Sequence, residues 1–166
     1  MGKITALGAE NFTVGTGSVL AAFQTAAVNS AAAFVTIKRV EISQNGSTTL
    51  AALRGAFSTR DTAGTLTTTS TTPANIQPLA GPASGLAGNT SVIGGVARSG
   101  TNSSADSGGT YTNHWLFNFM NLNGYLWKPA LDEEIIVPPS TVWCVRLLAA
   151  PGTTTGWTVE VVIEEL

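Results

Sequence analysis

Apolar residues recur with a period of two along much of this chain, the pattern of half-buried β-strands. The clearest stretch is the last, where Trp157, Val159, Val161 and Ile163 alternate with Thr158, Glu160, Val162 and Glu164. Before it, Thr141–Ala149 sets Trp143, Val145 and Leu147 on one side and Val142, Cys144 and Leu148 on the other. Both faces are apolar except at Arg146, which predicts a strand covered on both sides, by the core and by a partner. Ala150 through Gly156 reads as the turn that joins these two strands into a C-terminal hairpin.

Two Asn-Gly pairs predict further hairpins, since both residues tolerate the positive φ of tight turns. Asn45-Gly46 separates Phe34–Ser43 from Leu50–Thr59, and Asn123-Gly124 separates His114–Phe119 from Tyr125–Lys128. Within Phe34–Ser43 the apolar parity shifts from Val35 and Ile37 to Val40 and Ile42. One extra residue flips the facing, so a bulge is expected near Lys38-Arg39. Trp115, Phe117 and Phe119 make an aromatic face, with His114, Leu116 and Asn118 opposite. Ser18–Phe34 is rich in Ala and fits helical and strand spacing about equally; its β surroundings favour a strand.

The middle of the chain differs in kind. Thr62–Thr72 holds seven Thr, and the following stretch to Gly88 carries Pro73, Pro78 and Pro82, each without a ladder donor. That excludes a central strand. Leu66, Ile76, Leu79 and Leu86 still recur along it, so an extended segment lying on a neighbour is expected. Val96–Gly109, with its Ser, Gly and Asn, reads as an exposed loop. Short strands with Gly/Pro-rich turns predict an all-β, single-domain jelly roll or β-sandwich with a long extended loop or arm. The expected organisation is an N-terminal arm over 1–17 and a sandwich over 18–166 with an extended loop at 62–110.

Charge sharpens this. Only 11% of residues are charged, against about 25% in ordinary soluble domains. Between Thr62 and Leu131 the charged side chains are Arg98, Asp106 and Lys128 alone. No run approaches the roughly 20 apolar residues of a spanning helix, and the first residues have no signal-peptide core. Wholesale disorder is excluded by 43% hydrophobic residues and a net charge of −2. Burial against other protein is left. Eight basic against ten acidic residues show no nucleic-acid footprint. Asp132, Glu133, Glu134, Glu160, Glu164 and Glu165 read as the solvent rim of the final strands.

Candidate chemistry is sparse. Cys144 is the sole cysteine and reads as a buried structural thiol. His114 is the sole histidine, with no cysteine or second histidine near it for a metal and no Gly-x-Ser-x-Gly elbow for a triad. Asp132-Glu133-Glu134 is the one carboxylate cluster and reads as a turn before a strand. Gly15-Thr16-Gly17-Ser18 lacks the third glycine of a dinucleotide loop. The expectation is no enzyme, no catalytic or metal site and no cofactor. A divergent hydrolase would have to use His114 and Glu134.

Two stretches resemble a known family. Gly64–Ala87, with its Gly-Thr start, Thr72-Pro73, and Leu79 through Pro82-Ala83-Ser84, is similar to a loop in small structural proteins of tailed bacteriophages. Asn121–Glu165 resembles the end of the same proteins. It carries Gly124-Tyr125-Leu126-Trp127, then Glu134-Ile135-Ile136-Val137-Pro138-Pro139, Leu147-Leu148-Ala149-Ala150-Pro151, and a closing Glu164-Glu165. The resemblance is to jelly-roll head decoration, or cement, proteins. It implies a non-enzymatic virion protein, made in the host cytoplasm and placed on the capsid surface as a homotrimer. Its partner would be the major capsid protein, with no nucleic acid and no membrane. The expected oligomer or capsid interface is Leu66, Pro73, Ile76, Pro78, Leu79, Leu86, Trp115, Phe117, Tyr125 and Trp127, together with the 1–17 arm. The aromatic strands would fill either the sandwich core or the trimer axis. The alternative is a tail-fibre or appendage adhesion module that stacks sugar on Trp127, Trp157 or Tyr111.

Overall fold

The alternating stretches become strands of two antiparallel sheets packed face to face, a β-sandwich. The computed structural model describes residues 3–12, 19–25, 34–60, 76–80, 98–101, 111–139, 141–149, 151–153 and 155–165. These hold strands β1 (Lys3–Phe12), β2 (Val19–Gln24), β3 (Val35–Gln44), β4 (Ala52–Arg60), β5 (Ile76–Ala80) and β6 (Arg98–Thr101). After them come β7 (Tyr111–Met120), β8 (Tyr125–Trp127), β9 (Ile135–Val137), β10 (Val142–Leu147) and β11 (Trp157–Glu165). Sheet A runs β5-β1-β11-β3, with β8 and β9 sharing the far edge of β3. Sheet B runs β6-β2-β10-β4-β7. No helix among the described residues is long and apolar enough to cross a membrane.

The three expected hairpins are corrected. β3 and β4, β7 and β8, and β10 and β11 each lie in different sheets, so all three turns cross the sandwich. The reason is that turn residues specify a tight reversal of the chain, whereas the strand partner is chosen by burial and non-local pairing. Gly124 and Gly156 do take positive φ, 69° and 74°. The partners are nested instead: β1 pairs β11, β2 pairs β10, β3 pairs β8 and β9, and β4 pairs β7.

The turns that cross are tied together at one end of the sandwich. Buried Asn121 donates from Nδ2 to Gln44 Oε1 at 3.1 Å and to the Thr49 carbonyl at 3.0 Å. Its Oδ1 accepts from the Ala51 N–H at 2.8 Å. Gln44 in turn donates to the carbonyls of Thr153 and Thr155 at 3.3 and 3.2 Å. The Trp157 ring N–H also reaches the Thr153 carbonyl, at 3.1 Å. Gly156 is confined there: a Cβ would lie 2.4 Å from Asn45 Oδ1. Buried backbone and amide groups at these corners thus find partners, as buried polar groups must.

The core follows the period-two reading. Trp157, Val159, Val161 and Ile163 of β11 meet Trp143, Val145 and Leu147 of β10, Phe57 of β4 and Phe23 of β2. β10 is buried on both faces, since Val142 and Cys144 join a second cluster with Val19 and Ala22. The predicted bulge is present: β3 shifts register against β11 between Ile37 and Arg39, leaving Lys38 as the extra residue. Val19–Gln24 is a strand, as its surroundings suggested.

Three expectations meet a different arrangement. Lys3–Phe12, expected within an arm, is β1 and lies between β5 and β11. Its inward Thr5 is a polar residue on the buried side, so its alternation is hard to see in the sequence. Arg98–Thr101, expected within a loop, is the edge strand β6, paired with β2. The C-terminal acids are not all rim residues. Glu165 is buried and accepts from Thr5 Oγ1 at 3.3 Å, because β11 ends inside the sheet between β1 and β3. Glu134 and Glu164 both hold Lys38, at 2.9 and 2.8 Å, and Glu160 pairs with Arg39.

Candidate functional site

The residues with catalytic potential are engaged in ordinary structural contacts. His114 sits exposed at a register shift in β7, its Nε2 2.6 Å from Thr59 Oγ1 on β4. Glu134 gives both oxygens to Lys38, at 2.9 and 3.0 Å. The hydrogen bonds that the Lys38 ammonium donates, to Glu164 first and Glu134 second, hold its pKa above its ordinary value. Cys144 is buried among Val19, Ala22 and Val142. Among the described residues no group of three or more His, Cys, Asp or Glu is placed to hold a metal ion.

The aromatic residues of the expected interface converge on one open side of the sandwich, where β7 of sheet B faces β8 of sheet A. Phe117 stacks on Tyr125 with centroids 4.1 Å apart and planes 11° from parallel. Phe57 lies under both strands, 5.0 Å from Phe117 and 5.1 Å from Trp127. Gly55, directly opposite Phe117, leaves room for the ring; a Cβ there would approach it to 2.4 Å. Burial raises the Tyr125 pKa, and a hydrogen bond with Trp115 opposes that shift. Phe117 and Trp127 are therefore closed inside the chain, whereas Tyr125 is half-buried and Trp115 is 40% exposed.

The rest of the expected interface divides. Ile76, Pro78 and Leu79 lie on β5, the edge of sheet A, where Ile76 is opposite Leu7 and Pro78 opposite Thr5. Proline at an edge fits its missing donor. Leu79 is 58% exposed. Leu66, Pro73 and Leu86 lie outside the described residues. The sugar-stacking alternative loses its aromatics: Trp127 and Trp157 are buried, and Arg146 lies 4.2 Å over the Tyr111 ring.

Further exposed apolar residues lie elsewhere. On the outer face of sheet B, Leu116 and Met120 of β7 are exposed, with Asn118 between them and Arg54 of β4 directly opposite it. Between β8 and β9 the chain leaves the β3 edge at the Lys38 bulge and returns, and Leu131 at its tip is 88% exposed. That turn is fixed by Glu133 N–H donating to the Ala130 carbonyl at 3.0 Å and by Glu134 on Lys38. Leu116 lies on the side that the sequence set opposite the aromatic face, and Met120 continues that side. Leu131 directly precedes three acids, the signal that could have placed it on an exposed turn. Set against protein-family models, curated proteins and solved structures, the chain matches none.

Proposed function

We propose that this protein is a non-enzymatic structural protein of a virion. In this reading it is a jelly-roll decoration (cement) protein that stands as a trimer on a phage head and bridges subunits of the major capsid protein. The nested pairing of β1 with β11, β2 with β10, β3 with β8 and β9, and β4 with β7 supports the jelly roll. It has the form of one long antiparallel hairpin rolled into two sheets, with β5 and β6 added at the edges.

One observation carries the structural role. β7 is a ten-residue edge strand without a charged residue or a proline, and Thr112 to Leu116, Asn118 and Met120 are all exposed. Proteins that stay monomeric blunt such edges with charge, proline or cover. An uncharged, exposed edge beside apolar Leu116 and Met120 suits a surface that another protein subunit covers. The test is to add the purified protein to capsids that lack it and to measure cosedimentation, followed by imaging of the decorated particles. Density at fixed lattice positions is expected. Protein that stays wholly in the supernatant at saturating concentration refutes capsid decoration.

A further inference from the structure

The two sheets differ in charge. The strands of sheet B, β2, β4, β6, β7 and β10, contain Arg54, Arg60, Arg98 and Arg146 and no acidic residue. The strands of sheet A contain Glu10, Glu41, Glu160, Glu164 and Glu165 against Lys3, Lys38 and Arg39. The turn between β8 and β9 adds Asp132, Glu133 and Glu134 against Lys128. Basic charge is thus the sole kind in the described strands of sheet B, and acidic charge dominates those of sheet A and its turn.

We infer that copies of this chain associate turn to face. The β8–β9 turn of one copy seats Leu131 between Leu116 and Met120 on sheet B of the next, and Asp132 and Glu133 flank Arg54. This inference rests on the reading of the protein as a homo-oligomer and names its interface. Three observations carry it. First, the projecting leucine and the receiving pair are all exposed in the single chain, at 88%, 60% and 40% for Leu131, Leu116 and Met120. Second, the charges beside them are opposite in sign: exposed Asp132 and Glu133 on the turn, exposed Arg54 on the face. Setting either patch against its own counterpart would bring like charges together, whereas setting the turn of one copy on the face of another pairs unlike ones. Third, the turn is already rigid, held by the Ala130–Glu133 hydrogen bond and by Glu134 on Lys38, so docking orders little that was free. Each copy carries both patches, so the contact either closes reciprocally about a two-fold axis or repeats from copy to copy into a ring or filament.

Sedimentation velocity over a concentration series tests this on the full chain. The wild type is expected to associate. Arg54→Glu alone, or Asp132→Arg with Glu133→Arg, should weaken association at least about tenfold. The protein carrying all three changes should recover most of that loss, and so should an equimolar mixture of the two defective variants. Leu131→Asp should abolish association while its circular dichroism stays that of the wild type. A wild type that is monomeric at every concentration overturns both this inference and the homo-oligomer reading. A wild type that associates, but with no loss in the charge variants or no recovery in the combined one, overturns the turn-to-face contact alone. Capsid cosedimentation is read separately, so a failure of decoration leaves a distinct signature.

Discussion

Replacing Asn121 by alanine removes three hydrogen bonds while leaving its backbone in place. The lost partners are the Ala51 N–H at 2.8 Å, Gln44 Oε1 at 3.1 Å and the Thr49 carbonyl at 3.0 Å. Each neutral bond contributes about 1 kcal/mol net, and a buried group left without a partner costs about 1–3 kcal/mol. Thr49 is exposed and can turn to water, whereas Gln44 is buried and Ala51 is half-buried. The loss should therefore be about 3–4 kcal/mol, a large share of the roughly 5–15 kcal/mol that holds a domain folded. With a urea slope of about 2 kcal/mol per molar, the unfolding midpoint should fall by about 1.5–2 M with the slope unchanged. Gln44→Ala removes the shared bond from its other side, so the double variant should lose about 1 kcal/mol less than the sum of the singles. A midpoint shift under about 0.3 M for Asn121→Ala, or strict additivity with Gln44→Ala, would refute the idea that this amide ties the corners together.

Gly55→Ala forces a methyl group into the Phe117 ring, which Tyr125 on one side and Phe57 on another keep from moving. Overpacking should lower stability by about 1–3 kcal/mol in the same urea assay, and no loss would mean the ring is free to shift. Alkaline pH should weaken the fold through two groups whose folded pKa values are raised, Lys38 by its hydrogen bonds to Glu164 and Glu134 and Tyr125 by burial. For each, the stabilising contribution is whole below the unfolded pKa of about 10 and is lost as pH rises through the folded value. Urea midpoints measured from pH 8 to about 11.5 should therefore fall, and Tyr125→Phe should fall less steeply. An identical slope in that variant would remove Tyr125 from the explanation.

Strand facing was legible in the sequence wherever alternation was strong. β11 packs the odd residues that its pattern marked, and the parity change in β3 located the bulge at Lys38. Strand partners were not legible. Asn45-Gly46, Asn123-Gly124 and the Pro151–Gly156 stretch carry residues that serve a hairpin or a crossing equally well. The choice between them was made by strands far away in the chain, such as β11 beside β3 and β10 beside β4. β1 was hidden because Thr5, polar, faces inward to Glu165, whereas Ala6 and Gly8 supply little contrast. β6 was hidden because Arg98-Ser99-Gly100-Thr101 has no apolar residue; it is a strand through pairing with β2.

Charge poverty alone does not separate an interface from a core. Aromatic enrichment with few charges describes the centre of a protein–protein contact, and it describes a core equally well. Both descriptions fit Tyr111–Met120, and its two sides divide them. The odd residues Phe117 and Phe119 turn inward with Phe57, Tyr125 and Trp127, while the even residues Leu116, Asn118 and Met120 stay exposed beside Arg54. Composition treats the ten residues as one patch; a one-residue step in register separates what the chain hides from what it offers. Substitutions on the odd side should therefore move the unfolding midpoint, and those on the even side the association constant.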